Sequence, residues 1–287
     1  MDLSWLKPFL DPLLIELFKY LEKKEKLPDV KEDGEITHAK FYRIKPPSSS
    51  FDISINYWLN KNLNPYEIVF FHGFLSSEKA MVEPDLFATM KWVEVLDQLK
   101  SSPTILSLSL GKTWMLYPQN VKRTMFPNYA TVNDLKFMIE AIENKHEINK
   151  KRILIGSSMG GFNALQMYLN YPDMWSRCIL HVPMVIPKDK NPYNWFDMSL
   201  LSAPIIRSQV PQNLWPQVDP IHYMRSLSRS MPPLQIQVSK SDEFKLYDGG
   251  KYLAGLLTHL GIPVSLIENE GGHKDLNVEA ASAFIGI

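Results

Sequence analysis

Cysteine is nearly absent: Cys178 is the single one in 287 residues. No intrachain disulfide can form, which excludes a small stapled scaffold and makes a cysteine-built zinc cluster untenable. Excess charge is missing too, with 31 Lys and Arg against 31 Asp and Glu. That balance argues against nucleic acid or an anionic membrane as the main partner, since both select a basic surplus. No apolar run reaches the roughly 18 residues that a membrane-spanning helix needs. Internal repeats and low-complexity tracts are lacking. No H-E-x-x-H occurs and no carboxylates pair at metal spacing, so no cofactor is expected. Gly111-Lys112-Thr113 has the ending of a phosphate-binding loop, but Leu106 stands where the upstream glycine is required.

What is present suffices for a large core. With 45% hydrophobic residues, a chain of this length buries roughly 75% of its unfolded surface. Residues 1–26 carry Leu6, Phe9, Leu13, Leu14, Leu17, Phe18 and Leu21 at helical spacing. Asp2, Asp11, Glu16 and Lys19 interrupt them, and no small-residue cleavage site follows, so the segment is not a signal peptide. It reads as an amphipathic helix kinked near Pro12, packing on the domain or on a partner, a second copy of the chain included. A missing signal and a single cysteine predict a cytoplasmic location. The expected organisation is an N-terminal helix and linker over 1–35, then one domain over 36–287.

Within that domain, 36–45 and 51–59 alternate and are rich in β-branched and aromatic residues, predicting an antiparallel pair. From Glu67 onward, short apolar runs (67–71, 104–110, 152–156, 177–182, 234–238, 264–268) alternate with amphipathic stretches near 85–100, 130–145, 160–170, 247–260 and 275–285. This is the pattern of a mostly parallel sheet of about eight strands with helices on both faces. Residues 183–232 break it. They hold eight prolines and the aromatics Tyr193, Trp195, Phe196, Trp215 and Tyr223. Such a stretch is too long for a plain connection and reads as an insertion, a candidate lid, after the sixth strand.

The chemistry centres on Gly156-Ser157-Ser158-Met159-Gly160, a G-x-S-x-G pattern between an apolar strand and a helix. A sharp strand-to-helix turn strains its central residue and brings it against other segments, so glycines are needed on either side. Ser158 is then presented at a helix N-terminus, where free N–H groups and partial positive charge suit a developing oxyanion. Ser157 is the rival hydroxyl, but it has no glycine two residues before it.

A serine needs a base, and the base needs an acid to fix its tautomer. His273 follows Gly271-Gly272 directly after the last strand, at the sheet edge expected to carry Ser158. Asp242 follows the next-to-last strand, with Glu243 its neighbour and Asp248 a third choice. Ligands of open α/β sheets bind at these strand ends. Oxyanion donors are expected from the N–H of Met159 and from the loop His72-Gly73-Phe74-Leu75, Phe74 first and Leu75 as the alternative. His72 reads as a group under that loop. His72, Gly73, Leu75, Lys112, Trp114, Trp195 and Trp215 are the residues expected to border the substrate.

Together these features resemble the α/β-hydrolase superfamily, over Ile36 to the C-terminus. The elbow GSSMGG with its helix, the HG loop, the acid after the penultimate strand and GGH near the end match in order. The text GSSMGGFNAL is similar to esterases related to esterase D and feruloyl esterases. That resemblance implies hydrolysis of a carboxylic ester or thioester; the alternatives are acyl transfer by the same residues and a non-catalytic binding protein on the same fold. A small-molecule ester with an apolar or aromatic part is the expected substrate.

Overall fold

The computed structural model describes residues 34–47, 52–73, 76–82, 91–110, 130–185 and 230–287. The helix expected within 1–26 and nearly all of the 183–232 stretch expected to be an insertion therefore lie outside the described residues. In chain order the elements are β1 (Glu35–Ile44), β2 (Ile53–Lys61), β3 (Tyr66–Phe71), α1 (Lys91–Gln98), β4 (Thr104–Ser109), α2 (Val132–Lys145) and β5 (Lys151–Ser157). They continue with α3 (Met159–Asn170), β6 (Trp175–His181), β7 (Leu234–Ser239), α4 (Tyr247–His259), β8 (Val264–Asn269) and α5 (Val278–Ile285).

The strands form one eight-stranded sheet in the order β1-β2-β4-β3-β5-β6-β7-β8. β1 pairs antiparallel with β2, and β2 antiparallel with β4; every other pair is parallel. The alternation read in 36–59 thus corresponds to an antiparallel edge on a parallel sheet. β1 is one edge strand of this sheet and β8 the other, and a bulge between Ala39 and Tyr42 breaks the β1 register. Phe41 at the bulge takes φ 64° and donates its N–H to Asn56 Oδ1 at 3.0 Å. A bulge of this kind twists an edge out of reach of further strands.

The central strands are buried on both faces, which is why they read as unbroken apolar runs. Successive side chains leave a strand on opposite faces. Ile68, Phe70, Ile153, Ile155 and Ile179 meet Trp92 and Val95 of α1 and Ala281 and Ile285 of α5. Val69, Phe71, Leu154, Cys178 and Leu180 join α2, α3 and α4 on the other side. Trp92 packs edge-on to Phe70, with ring centroids 5.9 Å apart. The helix ends are set by local chemistry. Thr131 caps α2, its side chain accepting from Asp134 N–H while Asp134 accepts from Thr131 N–H. Asn277 caps α5, and Gly286 closes it in the left-handed region.

β3 has β4 on one side and β5 on the other. The chain therefore winds outward in opposite directions from β3, and the carboxyl ends of β3 and β5 form the switch point at which open α/β sheets bind their ligands. The loop after β3 begins at His72-Gly73, and the turn after β5 is Ser158.

Candidate active site

Ser158 sits between β5 and α3 with φ 55° and ψ −117°, a conformation that costs a non-glycine residue on the order of 1–3 kcal/mol. The surroundings hold it there. Its N–H donates to His181 C=O at 2.9 Å, and its own C=O accepts from Met184 N–H at 2.9 Å and Phe162 N–H at 3.2 Å. A Cβ on Gly156 would lie 2.3 Å from Gly160 O, and one on Gly160 only 2.1 Å from Phe71 O. These contacts are with backbone, so both positions demand glycine, as the pattern implied. A Cβ on Gly73 would stand 3.3 Å from Ser158 Cβ and 3.9 Å from its Oγ. The loop after β3 thus passes directly beside the serine. Met159 opens α3, and its N–H belongs to the first turn, where no intrahelical acceptor exists.

Two strands further along the same sheet edge, Asp242 and His273 meet. His273 Nδ1–H donates to Asp242 Oδ2 at 3.0 Å. The Asp242 side chain is fully enclosed, while that of His273 is 11% exposed, so the acid is sealed and the ring still reaches outward. With its proton on Nδ1, the imidazole carries a lone pair on Nε2. Asp242 Oδ1 accepts Phe244 N–H at 2.7 Å, which fixes the carboxylate plane. Phe244 packs on the imidazole with centroids 4.5 Å apart. The two loops are stitched by Lys240 N–H to Asn269 O (2.8 Å) and Ser241 N–H to Gly271 O (3.1 Å). The glycines before His273 have a physical reason. A Cβ on Gly271 would be 2.6 Å from Asp275 Oδ2, and one on Gly272 2.5 Å from Glu243 Oε1.

Glu243 and Asp248, the other acids considered, stand elsewhere. Glu243 accepts the backbone N–H of His273 at 2.7 Å, and Asp248 is exposed in the first turn of α4. His72 is fully buried, with Nδ1 2.6 Å from Gly73 O, which places it under its loop. Phe74, Leu75, Lys112, Trp114, Trp195 and Trp215 lie outside the described residues. Ser157, the rival hydroxyl, is engaged below the turn: its Oγ is 2.9 Å from His181 Nδ1.

His181 lies within the apolar run 177–182, where the sequence assigns it no role. Its Nε2 lies 3.0 Å from Asp275 O, and burial pushes its pKa down to about 4. The available signal was a polar residue at the carboxyl end of the strand beside the elbow strand. The Asp275 carboxylate pairs with Lys91 of α1 and accepts Gly271 N–H at 3.1 Å. Lys91 holds the Asp275 pKa below the usual carboxylate range. Among the described residues, no group of His, Cys, Asp and Glu is arranged to hold a metal ion. None of the described helices is long and apolar enough to cross a membrane.

A family model described as serine aminopeptidase, S33, matches residues 121–251. The matched segment carries Ser158 and Asp242 and ends before His273. A probable acyltransferase of Methanothermobacter thermautotrophicus is 44% identical over 48 residues, which is 17% of this chain and 15% of that protein. The chain therefore matches only a small part of this relative. Among solved structures, an esterase of Pyrobaculum calidifontis superposes with TM-score 0.59 at 17% identity, covering 99% of this chain and 91% of that one. An S-formylglutathione hydrolase from Agrobacterium tumefaciens gives TM-score 0.59 at 12% identity, over 90% and 94%. At such identities the likeness speaks for the fold. Sheet order, serine turn and these neighbours agree on one architecture: the chain has the α/β-hydrolase fold.

Proposed function

We propose that the chain is a serine hydrolase that cleaves a carboxylic ester or thioester of a small molecule through an acyl-enzyme on Ser158. The observation that carries this reading is the strained Ser158 directly after β5, at the same carboxyl edge of the sheet as the Asp242–His273 pair. His273 Nε2 takes the Ser158 proton as Oγ bonds to the acyl carbon. The same proton passes to the leaving alcohol or thiol as its bond to carbon breaks. Water then attacks, His273 takes its proton, and Ser158 Oγ recovers a proton as the acid departs. Asp242 holds the imidazole in the required tautomer and stabilises it when charged. Met159 N–H and, from the loop after β3, Phe74 N–H receive the oxyanion, each worth on the order of 3 kcal/mol of barrier. The aromatic insertion, with Trp195 and Trp215, suits an apolar or aromatic part of the substrate. No cofactor enters this scheme.

A second reading is acyl transfer by the same residues, favoured by the short likeness to a probable acyltransferase. Product analysis on p-nitrophenyl and thiophenyl acyl esters with graded added alcohol separates the two. Free acid at every alcohol concentration supports hydrolysis. A transfer product that displaces the acid as alcohol rises supports acyl transfer. No Ser158-dependent turnover of any of these esters contradicts both.

A further inference from the structure

We propose that His181 is a positioning residue: one buried imidazole ties the turn carrying Ser158 to the loop carrying His273. The inference rests on the serine-hydrolase reading above. β5 and β8 are separated by β6 and β7, so no ladder hydrogen bond joins the serine turn to the histidine loop. His181, at the end of β6, spans the gap by three contacts. Its backbone C=O accepts Ser158 N–H at 2.9 Å. Its Nδ1 is 2.9 Å from Ser157 Oγ, and its Nε2 is 3.0 Å from the carbonyl of Asp275, two residues beyond His273.

The donor inventory fixes the tautomer. A carbonyl can only accept, so Nε2 carries the hydrogen; Nδ1 is then the acceptor, and Ser157 Oγ–H donates to it. This arrangement needs a neutral ring. The residue is 1% exposed, and the Trp92 ring stands perpendicular to it at 6.0 Å. Burial is also what keeps the imidazole neutral at working pH. The carbonyl of Asp275 further receives Ser239 Oγ–H and Asn269 Nδ2–H, both at 3.2 Å, so the histidine loop is anchored from three strands at one atom. Of these three donors, His181 is the one whose other nitrogen reaches the serine turn. Ser157 is thereby committed to His181, which explains why the neighbouring hydroxyl does not compete with Ser158.

The test compares His181→Leu, His181→Gln and Ser157→Ala with the full-length parent. Two readouts are taken: kcat and KM on p-nitrophenyl butyrate, and the rate of fluorophosphonate labelling of Ser158 by intact mass. Misplacing a reacting group by about 1 Å costs on the order of 10²-fold. The Leu variant should lose about that factor in kcat, with KM within about threefold and labelling slowed in parallel. The Gln amide can still donate to the Asp275 carbonyl and should recover roughly tenfold. Ser157→Ala should lose roughly tenfold, because one of the bonds is cut. A packing role alone would leave Leu and Gln equal. Leu and Ala variants that keep kcat and labelling within about threefold of the parent overturn the proposal. If the Leu variant does not fold, the Gln and Ala variants decide by the same thresholds. A parent that is not labelled at Ser158 overturns the hydrolase reading and this one with it. A labelled parent with indifferent variants overturns this one alone.

Discussion

Glu243 Oε2 accepts the backbone N–H of His273 at 2.7 Å, while its neighbour Asp242 takes the ring N–H of the same residue at 3.0 Å. Two adjacent carboxylates thus hold one histidine by different handles, and only one of them can set its tautomer. Asp242→Asn should lower kcat by roughly 10³–10⁴. Glu243→Gln should cost no more than about tenfold, and Asp248→Asn, on the exposed face of α4, nothing. Steady-state kinetics of the three variants on one ester check the assignment. An equal loss for Asp242 and Glu243 would contradict it.

The strain at Ser158 makes stability and activity trade in a readable way. Ser158→Ala keeps the left-handed backbone and should cut turnover by on the order of 10⁴–10⁶. Ser158→Gly should be as inactive but more stable than the Ala variant by about 1 kcal/mol, because glycine takes φ 55° without penalty. Thermal unfolding of both variants beside the parent checks this.

Two glycines in helices should respond in opposite directions. A Cβ on Gly160 has the Phe71 and His72 carbonyls at 2.1 and 2.4 Å, and neither backbone can yield cheaply. Gly160→Ala should therefore lose about 2–3 kcal/mol. Gly255 in α4 is exposed, with nothing within 4 Å of the added atom. Gly255→Ala should gain about 0.5–1 kcal/mol. Urea titrations give both values.

Far from the site, Glu67 at the start of the β3 core is fully buried beside Glu143, whose carboxylate is forked by Arg152. Burial and then the Glu143 charge push the Glu67 pKa well above the ordinary carboxylate value. The sign follows from linkage. The folded state holds a proton that the unfolded state releases, so this contribution is full below the unfolded pKa and is lost as pH rises through the folded one. Parent stability should fall from acid to alkaline pH relative to Glu67→Gln, with the Gln variant ahead at pH 9. Arg152→Met strands a buried carboxylate and should cost about 3–5 kcal/mol at neutral pH. Melting curves across pH test both statements.

The sheet was legible because its strands are short and buried on both faces. Residues 67–71 and 152–156 were read as strands, and the structure extends them only to Tyr66–Phe71 and Lys151–Ser157. β6 begins at Trp175 rather than at 177, since the short turn Pro172–Met174 delivers the chain directly into the sheet. The serine turn was legible because its two glycines stand at fixed offsets from the serine, where a side chain would strike backbone, Gly160 O for Gly156 and Phe71 O for Gly160. The tie through His181 was not, because its partner lies 94 residues away and is a backbone carbonyl, which leaves no residue type to recognise. Lys91 and Asp275, 184 residues apart, escaped for the same reason of distance. Glu67 was read simply as the first residue of an apolar strand; its pairing register with Arg152 is what places it among charges.

The central claim is that Ser158 is an activated nucleophile. Intact-mass analysis after a fluorophosphonate probe, with peptide mapping of the adduct, addresses it directly. One adduct is expected, on Ser158, and it fails to form in His273→Ala. An adduct on Ser157, or none on folded protein, would contradict it.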